Sequence, residues 1–183
     1  MDQDFQKPKQ MERSFGKMKS IVILYSYHHH NTEKIAKAIA QVLSADIILP
    51  KDVNPESLQD YDLIGFGSGI YSAKHDESLL KLADRLSEVN NKDAFLFSTA
   101  GITGKSKIAK DHSTLKDKLE SKGYTIVDEF QCKGFNTNSF LRLFGGMNKG
   151  RPNAQDLKYA EEFAKSLISE GPRQNTRSGI SWK

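Results

Sequence analysis

The stretch Ile21-Val22-Ile23-Leu24-Tyr25-Ser26-Tyr27-His28-His29-His30-Asn31-Thr32 decides how the rest of the chain is read. Its first five residues are apolar or aromatic and three are β-branched, the composition of a strand buried on both faces. The next seven are mostly polar. Beyond them Ile35, Ile39, Val42 and Leu43 recur at i, i+4, i+7 and i+8, the spacing of a helix with one apolar face. A strand that turns directly into a helix N-terminus is built to hold an anion. The first N–H groups of the helix lack intrahelical partners and sit at the positive end of its dipole. Asn31 or Thr32 is placed to cap that helix, and Ser26, Asn31 and Thr32 add donors at the same point. The anion that suits such a loop is a phosphate.

Outward from this loop, apolar strands and helical patterns alternate. Strands are expected at 20–25, 46–49, 62–67, 93–99 and 125–132, and helices at 32–44, 76–88, 107–122 and 154–169. In the last helix Leu157, Ala160, Ala164 and Leu167 share a face. Such alternation predicts an α/β three-layer sandwich, with helices on both faces of a five-stranded parallel sheet and right-handed crossovers. Ligands in such folds bind at the carboxyl ends of the strands, where strand order reverses.

The 183 residues suit one domain, expected over 19–170, with a polar extension at 1–18 and a basic tail at 171–183. The net charge of +4 misleads, because residues 1–19 contribute +2 and residues 171–183 contribute +3, leaving −1 between them. A near-neutral folded part and the lack of a nucleic-acid motif argue against nucleic-acid binding. A single cysteine, Cys132, excludes an intramolecular disulfide framework and points to the cytoplasm. It ends an apolar strand, where a cysteine behaves as a small hydrophobe. No apolar run reaches membrane-spanning length.

Three segments follow the ends of the first, third and fourth strands, so the fold brings them together. The first is the histidine loop. The second, Gly67-Ser68-Gly69-Ile70-Tyr71-Ser72, has glycines that let a backbone approach a flat ligand, and a tyrosine able to stack on it. The third, Ser98-Thr99-Ala100-Gly101, offers small residues with free N–H groups. A phosphate cradle beside two small-residue loops suits a mononucleotide with an aromatic ring system.

These residues resemble the flavodoxin family. The Ser26-to-Thr32 loop matches that family's Ser/Thr-rich loop ending in Asn-Thr, Gly67 to Tyr71 its loop after the third strand, and Ser98 to Gly101 its loop after the fourth. The resemblance covers about 19–170. It implies strand order 2-1-3-4-5 and a non-covalent FMN without metal. Ser26, His28, His30, Asn31 and Thr32 would surround the phosphate. Ser68, Gly69, Ile70 and Tyr71 would border one side of the ring, and Ser98, Thr99, Ala100 and Gly101 the other. Two departures stand out. His28, His29 and His30 replace the family's usual Thr and Gly, with His29 expected to face solvent. Where electron-carrier flavodoxins are acidic, the rim here carries Lys74, Lys105, Lys107, Lys133, Arg142, Lys149 and Arg151. A basic rim favours full reduction of a flavin.

Rival readings are weaker on the residues. Adjacent histidines in one loop rarely converge on one metal ion. Thr99 to Ser106 looks like a nucleotide-triphosphate loop, but threonine stands in place of its first glycine. No dinucleotide fingerprint, phosphoacceptor carboxylate or nucleophile elbow follows the first strand. The connection 135–153, with Phe135, Phe140, Leu141, Leu143 and Phe144, is expected to be an ordered flap or interface patch. Three functions remain open: an electron carrier between partner proteins, a small NAD(P)H-dependent flavin or quinone reductase, and a scaffold of this fold without cofactor. The chain is expected to act as a monomer or homodimer, with no membrane partner.

Overall fold

A computed structural model describes residues 18–137 and 145–169. Both tails, Trp182 and the segment 138–144, which holds Phe140, Leu141, Arg142, Leu143 and Phe144, lie outside the described residues.

The parallel strands are β1 (Ser20–Tyr25), β2 (Asp46–Ile48), β3 (Leu63–Tyr71), β5 (Lys92–Ala100) and β6 (Tyr124–Lys133), in the order β2-β1-β3-β5-β6. This is the expected 2-1-3-4-5 order with one addition. A two-residue strand β4 (Lys74–His75) folds back antiparallel on β3. Among the described residues four α-helices cover the sheet: α1 (Asn31–Leu43), α2 (Glu77–Arg85), α3 (Lys105–Ser121) and α4 (Ala154–Ser169).

Alternate residues of each strand feed two separate cores, as a period of two requires. Ile21, Ile23, Ile64, Phe66, Ala94 and Leu96 face α2 and α3, which contribute Leu79, Leu82, Leu115 and Leu119. Val22, Leu24, Phe95 and Phe97 face α1 and α4, which contribute Ile35, Ile39, Phe163 and Ala164. Burying a Phe or Leu side chain contributes roughly 1.5–3 kcal/mol, so these faces hold the layers together. Among the described residues no helix is long and apolar enough to cross a membrane.

The segments from Gly67 and from Ser98 are not loops. β3 runs on to Tyr71 and β5 to Ala100. Glycine is a poor strand former, which argues for a strand ending at Gly67. Packing overrides that preference. Gly65 and Gly67 pair with Phe95 and Phe97, and a β-carbon on either glycine would lie 2.3 or 2.1 Å from the facing ring. The glycines leave room for two aromatic rings, and the longer strand follows.

Candidate functional site

One cleft opens at the carboxyl ends of β1, β3, β5 and β6, on the side where strand order reverses. It encloses about 400 Å³, part of it open to solvent. The register sets its walls: Tyr25, Ser68, Ser98 and Gln131 form one cross-sheet row, and Gly69, Thr99 and Cys132 the next.

The start of α1 forms the floor. Neither Asn31 nor Thr32 caps the helix. The cap position is His30, in a left-handed conformation (φ 51°) without a side-chain cap bond, and His29 before it is left-handed too (φ 55°). Ser26 reaches across instead, its hydroxyl accepting the Glu33 N–H at 3.3 Å. Asn31 and Thr32, both buried, begin the helix and line the cleft. The Thr32 hydroxyl meets that of Thr99 at 2.8 Å, tying α1 to β5. Asn31 Nδ2 donates to the Phe135 carbonyl at 2.8 Å, and its Oδ1 is buried with no protein partner among the described residues.

The three histidines part company. His28 lines the cleft, its ring 6.2 Å from that of Tyr71. His29 is exposed, as expected, and also rests against the third wall: its ring lies 4.5 Å from Phe135 and Nε2 is 2.8 Å from the Thr137 hydroxyl. His30 turns outside, with Nδ1 2.7 Å from Glu33 Oε2, and does not line the cleft. Glu33 also pairs with Lys37, and the hydrogen bonds from Lys37 and His30 hold its carboxyl below the usual range.

Gly69, Ile70 and Tyr71 of β3 face Thr99, Ala100 and Gly101 across the opening. Burial, then the nearby Asp76 charge, pushes the Tyr71 phenol up, so it stays protonated. Ser68 and Ser98 do not join them. They lie one residue earlier in each strand, are wholly buried, and belong to the row facing α3. Ser68 donates to the Gly69 carbonyl (2.8 Å), accepts from the Asp76 N–H (2.9 Å) and lies 3.0 Å from His75 Nδ1. With its one proton on the Gly69 carbonyl, the hydroxyl accepts from Nδ1–H, which leaves His75 Nε2 bare. That buried atom has no partner among the described residues. Ser98 meets His112 Nε2 at 2.8 Å, and His112 Nδ1 meets Glu129 Oε2 at 3.0 Å. This is the order of an acyl-transfer triad, but Ser98 and His112 are both 0% exposed, so no substrate reaches the hydroxyl.

The third wall lies partly in the connection 135–153 that was expected to form a flap or an interface patch; Gly134 before it was not singled out. Gly134, Phe135 and Asn136, just past β6, line the cleft beside α1. Asn136 and Met147 exchange backbone hydrogen bonds at 2.9 and 2.8 Å, and Asn148 Nδ2 donates to the Gly101 carbonyl at 2.7 Å. The connection 135–153 is therefore ordered at both described ends. Phe135 marks the segment as more than linker in the sequence, but nothing there says that its backbone lines a site.

The expected basic rim is thinner than its lysine count. Arg151 pairs with Asp156, Lys107 with Asp111, and Lys74 lies 3.7 Å from Glu77. Cys132 is buried, and burial followed by the Asp156 charge pushes its thiol far up, so it is an inert hydrophobe here.

With that geometry in view, the comparisons with known proteins are specific. The family model described as flavodoxin domain matches residues 22–168. An uncharacterised protein of Methanocaldococcus jannaschii is 51% identical over 151 residues, spanning 82% of this chain and 99% of that one. Among solved structures, flavodoxin 2 from Bacillus cereus superposes with a TM-score of 0.63 at 16% identity, covering 84% of this chain and 99% of its own. A flavodoxin from the domain Archaea superposes with a TM-score of 0.56 at 20% identity, covering 84% and 98%. The structural matches reflect shared architecture.

Proposed function

Because this chain belongs to the flavodoxin family, we propose that its cleft binds FMN and that the protein carries electrons between partner proteins. The observation that carries this reading is Asn31. At the mouth of a helix N-terminus it lines the cleft and carries a buried Oδ1 with no partner among the described residues. The adjacent N–H groups suit a phosphate, and the lone acceptor suits a sugar-alcohol hydroxyl. FMN offers both groups on one tail. A carboxamide acceptor cannot serve a phosphate oxygen, so Asn31 is assigned to the ribityl chain and the helix amides to the phosphate.

Bound FMN would supply one- and two-electron transfer. The chain's own residues do the rest. The backbone of Asn31 and Thr32 holds the anion, Thr32 and Thr99 lock α1 to β5, and Ser26 fixes the first turn. Gly69 and Gly101 keep both walls low; a β-carbon on Gly101 would lie 2.6 Å from Met147 Cε. Residues 19–170 form the binding unit in this reading.

An absorption spectrum of the purified protein, with mass spectrometry of any released ligand, tests the proposal. FMN should be found or taken up. Riboflavin, lacking the phosphate, should bind about a hundredfold or more weakly. Replacing Asn31 and Thr32 together should empty the cleft. Equal binding of FMN and riboflavin would refute the phosphate assignment.

A further inference from the structure

We propose that the cleft mouth docks the carboxylate-bearing face of a redox partner protein, with Ile102 as its apolar contact and Lys133 and Lys149 as its cationic ones. The inference rests on the reading of this cleft as a redox site.

Asn148 gathers the patch. Its Nδ2 donates to the carbonyls of Gly101 (2.7 Å) and Gly134 (3.3 Å). Ile102, Lys133 and Lys149 each follow or precede one of these three residues, and neighbouring α-carbons are about 3.8 Å apart. All three are exposed, Ile102 by 65%. Lys133 and Lys149 make no ion pair among the described residues.

Charge around the mouth is one-sided. The segments 26–32, 69–75, 99–107, 133–137 and 145–151 contain no carboxylate. Acidic groups just beyond them are engaged: Glu33 with Lys37 and His30, Glu77 with Lys74, and Asp76 in capping α2 through the Ser78 N–H. Surplus positive charge at a site steers anionic partners. The apolar centre selects the kind of partner. An isoleucine that stands proud of the surface offers a small dinucleotide no enclosure. A protein face covers it and leaves the lysines at the rim, the anatomy of a transient interface.

The test uses ferric cytochrome b5, whose haem edge is ringed by carboxylates, and ferric cytochrome c, whose haem edge is ringed by lysines. Each is titrated into the full-length ¹⁵N-labelled protein, so binding is read without electron transfer and FMN content is measured separately. Cytochrome b5 should shift the amides of Ile102, Lys133 and Lys149, and its affinity should fall about tenfold from low to physiological salt. The double variant K133E/K149E should lose cytochrome b5 and gain cytochrome c at unchanged FMN content. The proposal is overturned if the native protein prefers cytochrome c or if charge reversal leaves both affinities within about twofold. It is also overturned if NADPH shifts these amides and cytochrome b5 does not. A protein that bound cytochrome b5 here yet took up no FMN would instead defeat the functional reading.

Discussion

The side-chain amide of Asn31 donates to the backbone carbonyl of Phe135 at 2.8 Å, across 104 positions of sequence. One end of the bond is the first residue of α1, the other the strand-like segment after β6. It makes the cleft floor and its third wall a single unit, and it leaves Oδ1 as the end of the amide with no partner among the described residues.

Asn31 should therefore resist even isosteric change. Asn31→Ala removes one hydrogen bond and strands the Phe135 carbonyl, a loss of about 1–3 kcal/mol, or roughly tenfold or more in FMN affinity. Asn31→Asp keeps the shape but sets two acceptors against each other and adds a charge beside an anion. It should bind FMN more weakly than the alanine variant, with faster amide exchange at 134–137. Fluorescence titration of FMN checks the order, and native-like affinity in Asn31→Asp would reject it.

Packing of Phe97 on Gly67 makes a second expectation. Gly67→Ala places a β-carbon 2.1 Å from Phe97 Cζ, a clash that should cost about 3 kcal/mol in urea unfolding. Trimming the ring in Gly67→Ala/Phe97→Leu should recover part of that loss, so the double change costs less than the two single costs added. Simple additivity would mean that the ring moves freely aside.

Buried His75, its ring 4.7 Å from that of His112, makes stability depend on pH. Burial, then the neighbouring His112, holds His75 well below the usual imidazole range. An unfolded imidazole with pKa near 6.5 thus takes up a proton that the folded one refuses. Stability is complete above that value and falls as pH drops below it, by up to about 1.4 kcal/mol per pH unit. Glu129 adds loss in a lower window: burial raises its carboxyl, but hydrogen bonds from His112 and Lys116 outweigh this and lower it below 4.5. Urea midpoints measured from neutral pH downward should show the first fall, and His75→Gln should flatten it. A profile flat to about pH 5 in the native protein would contradict a buried neutral His75.

The rim should also be read in the potential of bound FMN. Lys133 and Lys149 favour the extra negative charge of full reduction. K133E/K149E should make full reduction harder by something on the order of tens of millivolts at low salt, with less effect at high salt. A redox titration showing no change would place both lysines too far away to matter.

Much of this was legible locally. The run Ile21 to Tyr25 and the spacing of Ile35, Ile39, Val42 and Leu43 gave β1 and α1, because both periodicities are written within a dozen residues. Gly67 was expected to end β3, which instead runs on to Tyr71; its low strand propensity hides a packing role that only Phe97, thirty positions on, reveals. His30 was expected beside the anion, but Glu33, one turn along α1, takes its Nδ1. Gly134 carried no signal, and Asn136 only as part of the connection 135–153, because their place beside the cleft is set by how the chain returns past β6 and pairs Asn136 with Met147.

By itself, then, the sequence determined the alternation of elements and hence a parallel sheet covered by helices on both faces, while the strand order was implied by the family resemblance. The alternation follows from local patterning and from chain handedness. Only the tertiary structure decided which of two neighbours faces that edge: Gly69 and Thr99 line the cleft, while Ser68 and Ser98 turn to buried histidines. A one-residue step along a strand reverses the face of every side chain, and the step is set by pairing with strands distant in sequence.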